Sequence, residues 1–147
     1  MGLGNPGPEY AETRHNVGRW LLDLLARRWS ASPFRSGRRF EVAEARVDGR
    51  DVWLAKPLTY MNESGLALRA LLDTVDPEFR VDRDLLVVVD DAALPPGRAR
   101  FRARGSAGGH HGLLSIESAL GTQAYPRLRI GVGAPPPGRD LADWVLA

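Results

Sequence analysis

The chain contains no cysteine, which excludes disulfides, a thiol nucleophile and thiolate zinc or iron–sulfur sites. That composition fits a reducing cytoplasm. No run of about 18 apolar residues occurs, and no secretory leader is read at the start. Internal repeats are absent. So are three catalytic fingerprints: the GxSxG elbow, the GxxxxGK[ST] phosphate loop and the HExxH metal helix. His110 and His111 are the one adjacent histidine pair, and neighbours on a helix or strand point apart, so a shared metal ion is not expected.

What is present describes an ordinary globular chain. Its 147 residues suit one domain spanning 1–147 with a core of its own. Hydrophobic residues make up 44% and charged residues 26%, which argues against wholesale disorder. The formal charge is only +2, but it is uneven. Between Leu94 and Ile130 there are six arginines and a single acid, Glu117. A local basic surface of that kind matters more to a nucleic-acid partner than the net value does.

The most informative stretch is residues 85–112, LLVVVDDAALPPGRARFRARGSAGGHHG. The apolar run 85–89 suits a strand buried on both faces of a parallel sheet. It ends in Asp90 and Asp91, where open α/β sheets place their ligands. A turn explains these acids equally well. Arg98, Arg100, Arg102 and Arg104 then alternate with smaller or apolar residues, which in a strand puts four guanidinium groups on one face. Residues 105–112 form a glycine-rich loop leading into the helical pattern LLSIESAL, and the N-terminus of such a helix attracts anions. Together these features suggest acid/base chemistry beside a polyanion.

The rest of the chain reads as alternating strands and helices. Residues 1–10, MGLGNPGPEY, are turn chemistry, in which Asn5 serves as a turn former or as something more. Thr13 is a candidate N-cap, and Val17, Trp20, Leu21, Leu24 and Leu25 share one helical face. His15 falls in the first turn, where the helix dipole disfavours the imidazolium and favours a ring able to accept a proton; a plain exposed cap residue is the other reading. Residues 40–47 and 51–55 form a hairpin around Asp48-Gly49. A polar loop, 58–64, leads into a helix over 66–75, which Asn62 or Ser64 could cap. Leu128, Ile130 and Val132 mark a last strand, with Arg127 and Arg129 facing the other way. Residues 140–147 begin another helix or strand. The expected fold is an α/β, three-layer α/β/α sandwich around a twisted mixed sheet. Without a serine or cysteine nucleophile, the natural hydrolytic scheme is water activated by a histidine, with a carboxylate to orient the ring and carboxamides to place water and oxyanion. His15, Asp90 or Asp91, Asn5 and Asn62 supply those groups.

Gly2-Leu-Gly-Asn-Pro-Gly7, followed by Tyr10 and Thr13-Arg-His-Asn-Val-Gly18, resembles the opening signature of the bacterial peptidyl-tRNA hydrolase family. Lys56-Pro-Leu-Thr-Tyr-Met-Asn-Glu-Ser-Gly65 resembles its second, Gly105-Ser-Ala-Gly-Gly-His-His-Gly-Leu113 its third, and Arg127-Leu-Arg-Ile-Gly-Val-Gly133 its late strand. The resemblance implies a monomeric, cytoplasmic, metal- and cofactor-independent esterase. Such an enzyme cleaves the bond between a peptide and the 3′ ribose of tRNA and engages the acceptor end, with no membrane partner. By the same resemblance His15 is the general base and Asp90 its orienting carboxylate. Asn5 and Asn62 position substrate and water, and Tyr10 lines the cleft. Arg100, Arg102 and Arg129 lie near the tRNA phosphate, although a solvated edge strand that deters aggregation would also account for arginines there.

The chain departs from the family pattern at several points. His111 stands where the family has a substrate-positioning asparagine, which implies slower turnover. Ala93 replaces an acid and Val89 a common histidine. The family's first strand precedes the GLGNPG turn, and Met1 takes the place of that strand's last Val or Ile. A start codon upstream is therefore expected, a point that the intact mass of the native protein reads directly. The family also continues into C-terminal helices beyond residue 147. The alternative function is an RNA-binding homologue on the same fold without hydrolysis. Contacts to backbone phosphates imply that tRNA binding weakens steeply between low and moderate salt. Filter binding over a salt series measures this, and a flat response would leave the arginines as no more than a solvated edge.

Overall fold

The computed structural model describes residues 1–147. In chain order its elements are the 3₁₀ turns Pro8–Tyr10 and Arg14–Asn16, α1 (Val17–Arg28), β1 (Arg35–Ser36), β2 (Phe40–Val47) and β3 (Arg50–Pro57). These are followed by a 3₁₀ turn Met61–Glu63, α2 (Ser64–Leu72), β4 (Val87–Asp91), β5 (Ala99–Arg102), α3 (His111–Leu120), β6 (Arg127–Gly131) and α4 (Leu141–Val145). Strands β1, β2 and β3 form an antiparallel sheet, and β4, β6 and β5 form a mixed one in that order, with β4 parallel to β6 and β5 antiparallel.

Residues 1–3 join the two sheets, which corrects the expectation that the chain opens as a turn. The Gly2 N–H donates to the Ala55 carbonyl on β3 (3.0 Å). On the other side the Leu3 N–H donates to Val88 (2.9 Å) and the Val88 N–H to Met1 (2.8 Å). Turn residues in the motif do not prevent this, because every backbone donor and acceptor buried between two strands must find a partner. Leu3 is fully buried as a result.

The sheet is covered on both faces. Leu22 of α1 packs with Ala43, Leu54 and Val88 on one side. Leu68 of α2 and Leu113 and Ile116 of α3 pack with Val87 and Val89 on the other. The alternation of Val87, Val88 and Val89 between two helical layers accounts for a run with no polar residue in it. Asp48 and Gly49 have φ of 51° and 77° at the hairpin, as a two-residue turn with left-handed positions requires.

Several expected boundaries shift. The Thr13 hydroxyl does not cap a helix. It donates to the Tyr10 carbonyl (2.8 Å), and a 3₁₀ turn intervenes before α1. The buried stripe of α1 runs through Gly18 and Leu22, while Trp20 and Leu24 of the expected face are 39% and 55% exposed. The cause is a close approach: a Cβ on Gly18 would lie 2.6 Å from the Val88 carbonyl, so the helix contacts the sheet along a line that hydrophobicity alone does not mark. Helix α2 starts two residues early and stops at Leu72, where the Thr74 hydroxyl takes up the Leu71 carbonyl. Strand β4 begins at Val87 and includes both acids, because its pairing with β6 extends through Asp90 and Asp91. In β5 no residue is buried, Phe101 included, since it is the sheet edge. Arg98 and Arg104 fall outside that strand.

Helices α2 and α3 touch at Gly65. A methyl group there would meet the Ser115 carbonyl at 2.3 Å and Ala119 Cβ at 2.9 Å. Alanine gains about 1 kcal/mol of helix propensity over glycine, but overpacking against backbone typically costs about 1–3 kcal/mol. Gly65→Ala is therefore expected to destabilise the protein in urea unfolding despite the better helix former; a gain in stability would mean that the two helices separate freely.

Candidate active site

Strand β4 carries Asp90 to its carboxyl end, where the side chain is 3% exposed. A buried carboxylate needs partners to remain charged, and two imidazoles provide them. His15 Nδ1 lies 2.8 Å from each Asp90 oxygen. His110 Nε2 lies 2.8 Å from Oδ1. The two rings are 5.2 Å apart, centre to centre, and tilted by 46°. Burial pushes the Asp90 carboxyl up, but hydrogen bonds from His110 and His15 outweigh it and hold the group down at about 2. The carboxylate is thus an acceptor only. His15 Nδ1 must carry a proton, and its Nε2 is left with a free lone pair.

His110 is the N-cap of α3. Its Nδ1 accepts the N–H groups of Gly112 (3.1 Å) and Leu113 (3.3 Å). Because that nitrogen is an acceptor, the proton sits on Nε2 and points at Asp90. This bears on metal binding as well. His15, Asp90 and His110 hold their ligand atoms within 4.8 Å of one another, yet both imidazole nitrogens that face the carboxylate are occupied as donors. Filling the site with a cation would require the α3 cap to break, so the donor set suits a hydrogen-bonded relay better than a metal.

His15 is held by its turn. Asn16, next in sequence and buried, brackets Asn5: its Oδ1 accepts the Asn5 N–H and its Nδ2 donates to the Asn5 carbonyl, both at 2.8 Å. Asn5 Oδ1 in turn accepts the Met61 N–H at 2.6 Å, which leaves the Asn5 Nδ2 hydrogens without a protein acceptor. On the other side Arg14 stacks 3.6 Å over the Trp144 ring and donates to the Trp144 carbonyl, while Trp144 Nε1 donates to Gly133 beyond β6. The expected helix or strand over 140–147 is thus helix α4, seated against the turn that bears His15.

The remaining expected residues are placed less tightly. Tyr10 meets Tyr60 edge to face, with centroids 6.4 Å apart. Asn62 is exposed in the turn Met61–Glu63, with no intramolecular hydrogen bond from its side chain. His111 is exposed in the first turn of α3, and its neighbour His110 is the residue that reaches Asp90. Sequence reasoning missed His110, Asn16, Tyr60 and Trp144. For His110 a signal existed: it stands directly before a helical pattern, in the cap position, where a side-chain acceptor is wanted.

Beside this cluster lies an open cleft of about 380 Å³ lined by Arg100, Arg102, Arg104, Arg127, Arg129 and Asp91 among others. Arg127 does not contribute a free charge, contrary to its place in the expected basic surface. It is 1% exposed, stacks 4.0 Å over Tyr125 and donates to the Gln123, Tyr125 and Ser106 carbonyls. Arg129 donates to Ser106 and Ala107. Arg100, Arg102 and Arg104 are exposed at the cleft.

A family model described as "Peptidyl-tRNA hydrolase" matches residues 1–147. A peptidyl-tRNA hydrolase of Geobacillus kaustophilus is 48% identical over 146 residues, covering 99% of this chain and 77% of that protein. One of Chloroflexus aurantiacus is 50% identical over 149 residues, with the same shares. Among solved structures, the crystal structure of peptidyl-tRNA hydrolase from Acinetobacter baumannii superposes with a TM-score of 0.84 at 34% identity, covering 99% of this chain and 73% of that one.

The lowered Asp90 value has a consequence for stability. A carboxyl whose value falls on folding adds stability that is present in full above its unfolded value of about 4 and is lost as pH drops through the folded value. Between about pH 4 and pH 2 the wild type should lose on the order of 2 kcal/mol relative to Asp90→Asn. Urea unfolding of both proteins across that window tests the arrangement, and parallel curves would contradict an ionised Asp90 between the two rings.

Proposed function

The chain belongs to the peptidyl-tRNA hydrolase family, and we propose that it cleaves the ester between a peptide and the 3′ ribose of tRNA with water activated by His15. One observation carries this reading: the bifurcated hydrogen bond from His15 Nδ1 to Asp90, which leaves Nε2 as a base. Water bound at Nε2 loses its proton to the ring as its oxygen attacks the ester carbonyl carbon. The imidazolium that forms faces an already ionised Asp90, whose charge stabilises it. The unpartnered Nδ2 hydrogens of Asn5 and the exposed amide of Asn62 can donate to the carbonyl oxygen as it becomes an oxyanion. Collapse of the tetrahedral intermediate breaks the bond to the ribose oxygen, which takes the proton back from His15 and leaves as a hydroxyl. Peptide acid and free tRNA are the products.

Tyr10 and Tyr60 offer aromatic faces beside Asn5 and Asn62 for the substrate. Arg100, Arg102 and Arg129 offer charge to a backbone phosphate, where contacts position the RNA and read no sequence. The reading takes the protein to act in the cytoplasm, where its substrate arises, as a monomer and without a metal. Support for the last point is the proton that the α3 cap fixes on His110 Nε2. No helix is long and apolar enough to cross a membrane. The alternative of an RNA-binding homologue without hydrolysis has no observation in its favour.

The test is hydrolysis of N-blocked aminoacyl-tRNA against free aminoacyl-tRNA. The wild type should cleave the blocked substrate, and His15→Ala should lower kcat by roughly 10²–10⁴-fold, the usual contribution of a general base. A variant that keeps wild-type turnover would remove His15 from the mechanism.

A further inference from the structure

Arg129 lines the arginine-rich cleft, but its side chain is only 14% exposed. One of its nitrogens, Nη2, is already engaged with the carbonyls of Ser106 (3.0 Å) and Ala107 (3.1 Å). The Ala107 carbonyl also accepts the His110 N–H at 3.1 Å. The segment between them is Gly108-Gly109, two successive left-handed glycines with φ of 61° and 81°. A turn of that composition has little rigidity of its own and depends on tethers from outside. Arg127 supplies a weak one, 3.4 Å from the Ser106 carbonyl. Arg129 supplies two short ones. The exposed cleft arginines donate no hydrogen bond to the loop; the one intramolecular hydrogen bond of Arg102 is to the Phe101 carbonyl.

We propose that Arg129 is a positioning residue for hydrolysis: by holding carbonyls 106 and 107 it places His110, and through His110 it orients Asp90 and the His15 base. The proposal rests on the hydrolase reading above and adds a second task to a side chain otherwise assigned to phosphate. Nη1 makes no hydrogen bond and only a long ion pair with Asp91 (3.9 Å), so one guanidinium spans the cleft and the relay. A residue that only bound phosphate would affect KM. One that also sets the geometry of the base affects kcat.

The test compares Arg129→Gln, Arg129→Lys and Arg102→Gln with the wild type, each shown to be folded by circular dichroism. Two quantities are read: kcat and KM on N-blocked aminoacyl-tRNA, and the imidazole N–H signals in ¹⁵N-edited NMR without substrate. With three histidines in the chain, assignment of those signals is direct. Arg129→Gln is expected to lower kcat roughly ten- to hundred-fold, as a misplaced catalytic group does, and to shift or broaden the His110 Nε2–H signal. Arg129→Lys, which keeps the charge but ends one bond short of the Nη2 position that serves both carbonyls, should recover only part of both. Arg102→Gln should raise KM and leave the His110 signal in place. The proposal is overturned if Arg129→Gln raises KM alone with a wild-type His110 signal. If the glutamine variant does not fold, the lysine variant decides by the same two readouts. A folded wild type without hydrolysis would overturn the hydrolase reading instead, and the NMR comparison would still decide the role of Arg129.

Discussion

The structure depends on one buried charge. Asp90 sits at the end of a strand covered on both faces, where an unpaired carboxylate would cost several kcal/mol. What makes the charge tolerable is a pair of imidazoles delivered from different parts of the chain, His15 before α1 and His110 at the start of α3. Each element that brings a partner is itself anchored near the sheet centre. Residues 1–3 lie against β4 and lead into Asn5, while α1 presses its Gly18 against the same strand. Burial, charge and hydrogen bonding thus specify one arrangement of three segments far apart in sequence.

Around this carboxylate, further side chains set the positions of the two histidines and of Asn5. Asn16 uses both ends of its amide to clamp the Asn5 backbone, while the Asn5 side chain accepts the Met61 N–H. Trp144 and Arg14 brace the opposite side of the His15 turn. Behind the GLGNPG loop, Arg19 donates to the Pro57 carbonyl at 2.7 Å and pairs with Glu41, while buried Lys56 pairs with Asp23 and lies over the Phe34 ring. Charges held by two or more partners from different elements resist rotation better than single contacts, which suits a site in which His15 is held in line with its carboxylate.

The electrostatics fall into two zones. Asp90 and its histidines are sheltered and hydrogen-bonded, whereas the neighbouring cleft presents several arginines to solvent. Free charge at the cleft gives long-range, salt-sensitive attraction, and the sheltered relay is screened far less. Within the cleft the arginines are not equivalent: two on β6 are bound to loop carbonyls, and those on and after β5 are exposed to solvent. The same residue type serves structure on one strand and solvent-facing charge on the next.

Much of this was legible in the sequence. The valine run, the Asp48-Gly49 hairpin, the helical periodicities and the polar residues left over at strand and helix ends specify an α/β sandwich and the types of group in its site, because those features follow from local geometry and burial. Those groups include His15, Asn5 and one of Asp90 and Asp91, motif resemblance singles out Asp90, and the fold brings the three segments together. What the sequence did not reveal was which neighbour does which job. His110 rather than His111 reaches Asp90, Arg127 is buried rather than free, and the contact line of α1 runs through Gly18 rather than Trp20 and Leu24. Residue type and spacing determine what each segment can offer. Which atom meets which is decided only when β4 and residues 1–3 fill the sheet centre and α3 is capped beside them, because hydrogen-bond direction and close backbone approach are properties of the packed chain.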